Sequence, residues 1–145
     1  MLAVSFGIYV PGEPMGAGRP RFGRGRDGAP RAFTAKADRD YSARITEAWR
    51  AASCPELAWG PWRCRVTAYM ARPKDHRKAD GTLSARGLRS QYPGRKPDAD
   101  NILKTIDALV SCGAVPDDRL LVRAEVEKRW ADDRAPGLAI YAEAA

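Results

Sequence analysis

The 145-residue chain contains one histidine, His76, and three cysteines, Cys54, Cys64 and Cys112. No two of the cysteines form a CxxC pair, and a lone histidine cannot complete a ligand set with them, so a structural zinc site is not expected. An odd, scattered set of thiols gives no disulfide framework, and the cysteines read as small buried hydrophobes. Long apolar runs are also missing. Nothing approaches the ~20 residues of a membrane span. The opening segment lacks a basic start and a cleavage signature, and its alternation of Val4, Phe6, Ile8 and Val10 reads as a strand and not as a signal peptide. These absences point to a cytoplasmic protein with no membrane partner and no small-molecule cofactor.

What is present is a chain that can bury a core: 44% of its residues are hydrophobic, and a domain of this length needs no disulfide or metal to hold together. Lysine and arginine number 25 against 18 acidic residues, a net charge of +7. That excess is uneven. Arg19, Arg21, Arg24, Arg26, Arg31 and Lys36 face only Asp27, a local +5. Arg72, Lys74, Arg77, Lys78, Arg86, Arg89, Arg95 and Lys96 face only Asp75 and Asp80, a local +6. The two segments together carry +11, which leaves −4 for everything else. Both are rich in glycine and proline and read as flexible loops. Concentrated charge of this kind, with arginine forks suited to phosphate oxygens, is the footprint of nucleic-acid backbone binding. Arg19, Arg21, Arg24, Arg26, Lys74, Arg77, Lys78, Arg95 and Lys96 are the candidate contacts. Charge alone does not separate DNA from RNA.

Periodicity supplies a coarse architecture. A strand over Met1–Val10 is followed by the first basic loop. A helix runs from about Lys36 to Ser53, with Tyr41, Ile45, Ala48 and Trp49 at helical spacing, and a strand follows over Trp62–Arg72. The second basic loop leads into a helix over about Asp100–Ser111, and two strands, about Leu120–Trp130 and Gly137–Glu143, finish the chain. The order β-α-β-α-β-β predicts a single α+β domain over residues 1–145, a mixed sheet packed by two helices. Gly23 to Gly28 spells a glycine-rich fingerprint, but Pro30 interrupts the helix a dinucleotide site would need. His76 reads as an ordinary loop residue, and the four tryptophans as core or dimer contacts.

The stretch from Lys96 to Leu109, followed by Asp117 and Asp118, carries the chemistry. On the helix Ile102, Leu103, Ile106, Leu109 and Val110 share the core face. Asp100, Lys104 and Asp107 share the opposite one, with Asp98 just ahead. Taken singly these are helix caps, an i,i+4 surface pair and a turn. Taken together, carboxylates crowded beside a polyanion-binding surface would repel phosphates unless a cation screens them. An oxygen-only cluster suits Mg²⁺, with Mn²⁺ as a substitute. Such an ion polarises a phosphoryl oxygen and lowers the pKa of its bound water, while Lys104 stabilises developing charge.

Lys96-Pro-Asp-Ala-Asp-Asn-Ile-Leu-Lys104, Asp107-Ala-Leu109 and Asp117-Asp118 resemble the signature of the RusA family of Holliday junction resolvases, found in bacteria and their prophages. Pro11-Gly-Glu-Pro14, Gly18-Arg-Pro-Arg-Phe22 and Glu127-Lys-Arg-Trp130 resemble prophage members. The resemblance implies a small homodimeric, Mg²⁺-dependent endonuclease that resolves four-way DNA junctions by paired nicks. It places the essential carboxylates and metal ligands on Asp98, Asp100 and Asp118 and the essential lysine on Lys104, with Asp117 as auxiliary. One spacing departs from the family. Lys104 and Asp107 are three residues apart where four is usual, so the helix is expected to absorb the difference with a local bulge or shift, or else Asp118 changes position. The competing readings are a non-catalytic DNA-binding module that keeps the fold and, more distantly, an RNA-binding accessory protein.

Overall fold

Alternation along the first strand is met in the structure: Phe6, Ile8 and Val10 are buried while Gly7 and Tyr9 face out. The structure is a computed structural model that describes residues 4–18, 21–33 and 35–145, leaving aside the side chains of Arg21 and Phe33. The expected contact of Arg19 with nucleic acid therefore falls on a residue outside those described, as does that of the Arg21 side chain.

Four strands form the main sheet, β1 (Ser5–Pro11), β4 (Trp62–Met70), β5 (Leu121–Trp130) and β6 (Gly137–Ala144), in the order β1-β6-β4-β5. β6 pairs antiparallel with both β1 and β4, whereas β4 and β5 run parallel. Parallel neighbours need a long crossover. Here the crossover contains both the second basic segment and the carboxylate-bearing helix, so sheet topology determines where the site chemistry falls. The helix α1 (Lys36–Ala51) buries Tyr41, Ile45 and Trp49, spaced four residues apart as the sequence pattern predicts. With Ile102 and Leu109 of the crossover they cover Val66 and Ala68 of β4 and Ile140 of β6 in one core. The predicted α+β architecture, a mixed sheet packed by helices, is the one observed. Among the described residues no helix is long and apolar enough to cross a membrane.

Three features differ from the sequence reading. The first basic loop contains an antiparallel ribbon, β2 (Arg21–Arg24) with β3 (Pro30–Phe33). Its turn is closed by Gly28, whose φ of 77° suits glycine, and by the Asp27 carboxylate accepting from the Ala29 N–H. Strands of four residues are too short to show a two-residue period against a Gly/Pro background.

The second basic loop is built and not slack. It contains a 3₁₀ turn (Lys74–His76) and a short helix α2 (Ala85–Arg89), capped by the Ser84 hydroxyl accepting from the Gly87 N–H at 3.1 Å. Arg72 holds the loop down. Its side chain is 7% exposed, and its guanidinium pairs with Asp132 at 2.6 Å, lies over the Trp130 ring and donates to the carbonyls of Gly87 and Ser90. Trp130 Nε1 donates to the same Ser90 carbonyl, and the His76 ring stands edge-on to Trp130. Gly87 packs so tightly on the His76 carbonyl that a Cβ would collide with it. His76 is therefore a buried loop residue, and Trp130 and Trp62 are buried. Trp59, at 85% exposure, is not a core residue.

The third difference is in the crossover helix. It breaks into α3 (Ala99–Leu103), a 3₁₀ turn (Lys104–Ile106) and α4 (Asp107–Ser111).

Candidate active site

The core face of the crossover helix anchors its acidic face. Ile102, Ile106 and Leu109 are buried, so Asp100, Lys104 and Asp107 are turned toward solvent. The 3₁₀ turn sets their alignment. With three residues per turn, positions i and i+3 eclipse each other, so a lysine and an aspartate three apart stack as a pair four apart would on an α-helix. The Lys104–Asp107 spacing thus falls on a local tightening of the helix and not on a regular α-helical turn.

Asp118 reaches the same place from the far end of the crossover. The turn before β5 is tied to β4 by buried Trp62, whose indole N–H donates to the Asp117 carbonyl at 3.2 Å. Asp117 itself caps the 3₁₀ turn Asp118–Leu120, its carboxylate accepting from the Arg119 backbone and guanidinium. Asp100, Lys104, Asp107 and Asp118 then line one cavity of about 300 Å³, floored by Leu103, Ile106 and Leu121. Of the sequence candidates the structure thus brings together Asp100, Lys104 and Asp118. It adds Asp107, which the helical wheel placed on this face without assigning it a role. Asp98 stands at the entry to α3, next to the cis Lys96–Pro97 peptide. It is exposed, makes no side-chain capping bond and lies outside the cavity lining.

The electrostatics separate these carboxylates from the others. Arg119 holds Asp117 well below the usual carboxylate range. Asp75, Asp132 and Asp133 are lowered by Arg86, Arg72 and Arg134, respectively. By contrast, Asp98, Asp100, Asp107 and Asp118 form no ion pair with any described residue, and neither does Lys104. Asp107 moves the other way, its pKa raised first by burial and then by the charge of Asp118, with Lys104 offsetting part. Like charges converging without a counter-ion, through oxygen donors alone, fit a hard divalent cation. Among the described residues no three carboxylates stand within one coordination sphere. The thiols offer nothing comparable: burial pushes Cys64 up to about 11.

The basic candidates divide into two groups. Arg77 pairs with Asp132 at 2.8 Å, and Arg95 pairs with Glu13 at 2.7 Å while donating to the Ala71 carbonyl. Both guanidinia therefore brace the loop. Arg24 makes only a 3.5 Å contact to the Gly28 carbonyl, and Arg26, Lys74, Lys78 and Lys96 form no ion pair with a described residue. The segment ahead of the ribbon is tethered beside the site, since the Ala17 N–H donates to the Asn101 carbonyl at 2.9 Å and Gly16 packs against Asn101 and Pro97.

Unpaired carboxylates, one uncompensated lysine and cationic loops on either side are the constellation of a protein that acts on phosphodiesters. The sequence matches the family Endodeoxyribonuclease RusA over residues 11–142, nearly the whole chain, and the chain belongs to that family. No curated protein matches it.

Proposed function

We propose that this chain is a magnesium-dependent, structure-selective endodeoxyribonuclease that resolves four-way DNA junctions by paired phosphodiester nicks. The observation that carries the reading is the cavity where Asp100, Lys104 and Asp118 converge without ion-pair partners among the described residues, beside the tethered start of the first basic segment. Membership of the family supports the substrate class. In this reading Asp100 and Asp118, which share the cavity, hold Mg²⁺, with Mn²⁺ able to replace it, and Asp98 joins them as a third ligand only by moving in from the entry to α3. Bound there, the ion supplies Lewis-acid polarisation of a phosphoryl oxygen and a more acidic water. Lys104 places its ammonium where negative charge grows on the phosphate. Asp117 acts at one remove, fixing Asp118 through the turn it closes with Arg119. Arg24, Arg26, Lys74, Lys78 and Lys96 meet the backbone of the junction arms, with Arg19 and Arg21 in the same segment. A homodimer suits a substrate that needs two symmetric cuts.

The test is incubation of the pure protein with a synthetic four-way junction, with and without Mg²⁺. Absence of metal-dependent cleavage across pH and junction sequence would end the enzyme reading. The separation of the carboxylates favours a second reading, a non-catalytic DNA-binding module. That reading predicts that the wild type cuts nothing and that Asp118→Asn leaves junction binding unchanged.

A further inference from the structure

Phe22 is the most exposed large apolar side chain among the described residues, at 87%. It sits on β2 opposite Ala32, with Arg24 opposite Pro30 two residues on. Residues two apart on a strand, and residues directly paired across it, share a face. One face of the ribbon therefore presents a bare phenyl ring beside the Arg24 guanidinium, and its cross-strand neighbours are too small to cover the ring. The two strands pack mainly on each other, so the ribbon projects from the body instead of closing the core. Arg31, paired with Asp27 at 3.1 Å, stiffens the far end.

The tether fixes how far this ring can be from the site. Ala17 is bonded to Asn101 on the helix that carries Asp100. Phe22 follows five residues later, a reach of at most ~18 Å for extended chain. That is roughly five base-pair rises along a duplex. An apolar ring flanked by cations, on a projection of this kind, has the chemistry of a wedge that enters a base stack while arginine holds the neighbouring phosphate. Opening a stack is easiest where stacking is already interrupted, as at a branch point.

Resting on the DNA reading above, we infer that Phe22 is inserted between bases at the branch point of the junction, with Arg24 on the adjoining phosphate. It selects branched DNA over linear duplex and holds the scissile strand within reach of the carboxylate cavity.

The experiment uses a four-way junction with 2-aminopurine beside the branch, titrated with the full chain in EDTA so that no cutting occurs. Wild-type protein is expected to raise the fluorescence by unstacking the probe. Phe22→Ala should abolish the rise and weaken junction binding about tenfold, the loss of one aromatic–base stack, while linear duplex binding is unchanged. Phe22→Trp should restore both. The thermal midpoint of Phe22→Ala should match that of the wild type, because the ring supports no core. An undiminished fluorescence rise with Phe22→Ala overturns the inference. So does conversion of a wild-type dimer to monomers by that substitution in sedimentation velocity, which would assign the ring to a second copy of the chain. If the wild type cuts junctions and the signal ignores Phe22, only the wedge fails. If it neither binds nor cuts them, the DNA reading fails with it.

Discussion

Lys104 and Asp107 are joined by a single turn of 3₁₀ helix, in which the Asp107 backbone N–H donates to the carbonyl three residues back. Both side chains line the same cavity as Asp118.

Ionised Asp107 is less favoured in the folded protein than in the unfolded chain, because burial and the charge of Asp118 outweigh Lys104. Its folded pKa is raised, so its contribution to stability is present below the ordinary carboxylate value and lost as pH rises through the folded one. Asp107→Asn is therefore expected to have a higher thermal midpoint than the wild type at neutral pH in EDTA. The difference should vanish below about pH 4, where the wild-type carboxyl is protonated. Melting curves of the two proteins across pH check this, and equal midpoints at pH 7 would refute it.

Asp100→Asn and Asp118→Asn should each reduce junction cutting by about 10²–10³ or more, while binding in EDTA is unchanged or tighter because negative charge near phosphate is removed. Gel-shift and cleavage assays on the same junction separate the two effects. Loss of binding in step with cutting would make these residues structural.

Arg72 anchors the second basic segment. Arg72→Ala removes one donor each from the Gly87 and Ser90 carbonyls and from Asp132, which keep the Ser90 N–H, Trp130 Nε1 and Arg77, and takes a buried side chain from against the Trp130 ring, at a cost of about 2–3 kcal/mol. For a chain of this size that lowers the thermal midpoint by about 5–10 °C, and residues 73–97 should become the first site of limited proteolysis. The pair also has a pH signature. The Asp132 pKa is lowered chiefly by its Arg72 hydrogen bond, so its stabilisation is present above the ordinary carboxylate range and disappears as pH falls through the depressed folded value. Asp132→Asn should flatten that acid limb of the stability curve.

The basic residues should separate by experiment as they do by geometry. Substituting Arg24, Arg26, Lys74, Lys78 or Lys96 by alanine is expected to reduce the salt dependence of junction binding by about one unit of slope each, with little change in stability. Arg77→Ala and Arg95→Ala, which break ion pairs to Asp132 and Glu13, should mainly lower the thermal midpoint. The measurement is binding affinity against salt concentration, with melting curves run on the same variants.

Much of the protein is legible in the order of its residues. The alternation in Ser5–Pro11 and Trp62–Met70 and the four-residue spacing of Tyr41, Ile45 and Trp49 are local periodicities, and burial follows them directly. The carboxylates, the lysine and the separation of +11 from −4 are likewise matters of sequence. Alignment in space was decided by contacts between distant segments. The parallel pairing of β4 with β5 and the Trp62 bond to Asp117 bring Asp118 to a helix that begins almost twenty residues earlier in the chain. The three-residue Lys104–Asp107 spacing falls on a 3₁₀ turn. Tertiary structure also divided the net charge. Arg72, Arg77 and Arg95 count toward the basic total in the sequence, yet their guanidinia are taken up by Asp132, Glu13 and backbone carbonyls. Net charge is a sum over composition, but charge available to a phosphate depends on which partners folding brings within hydrogen-bond distance.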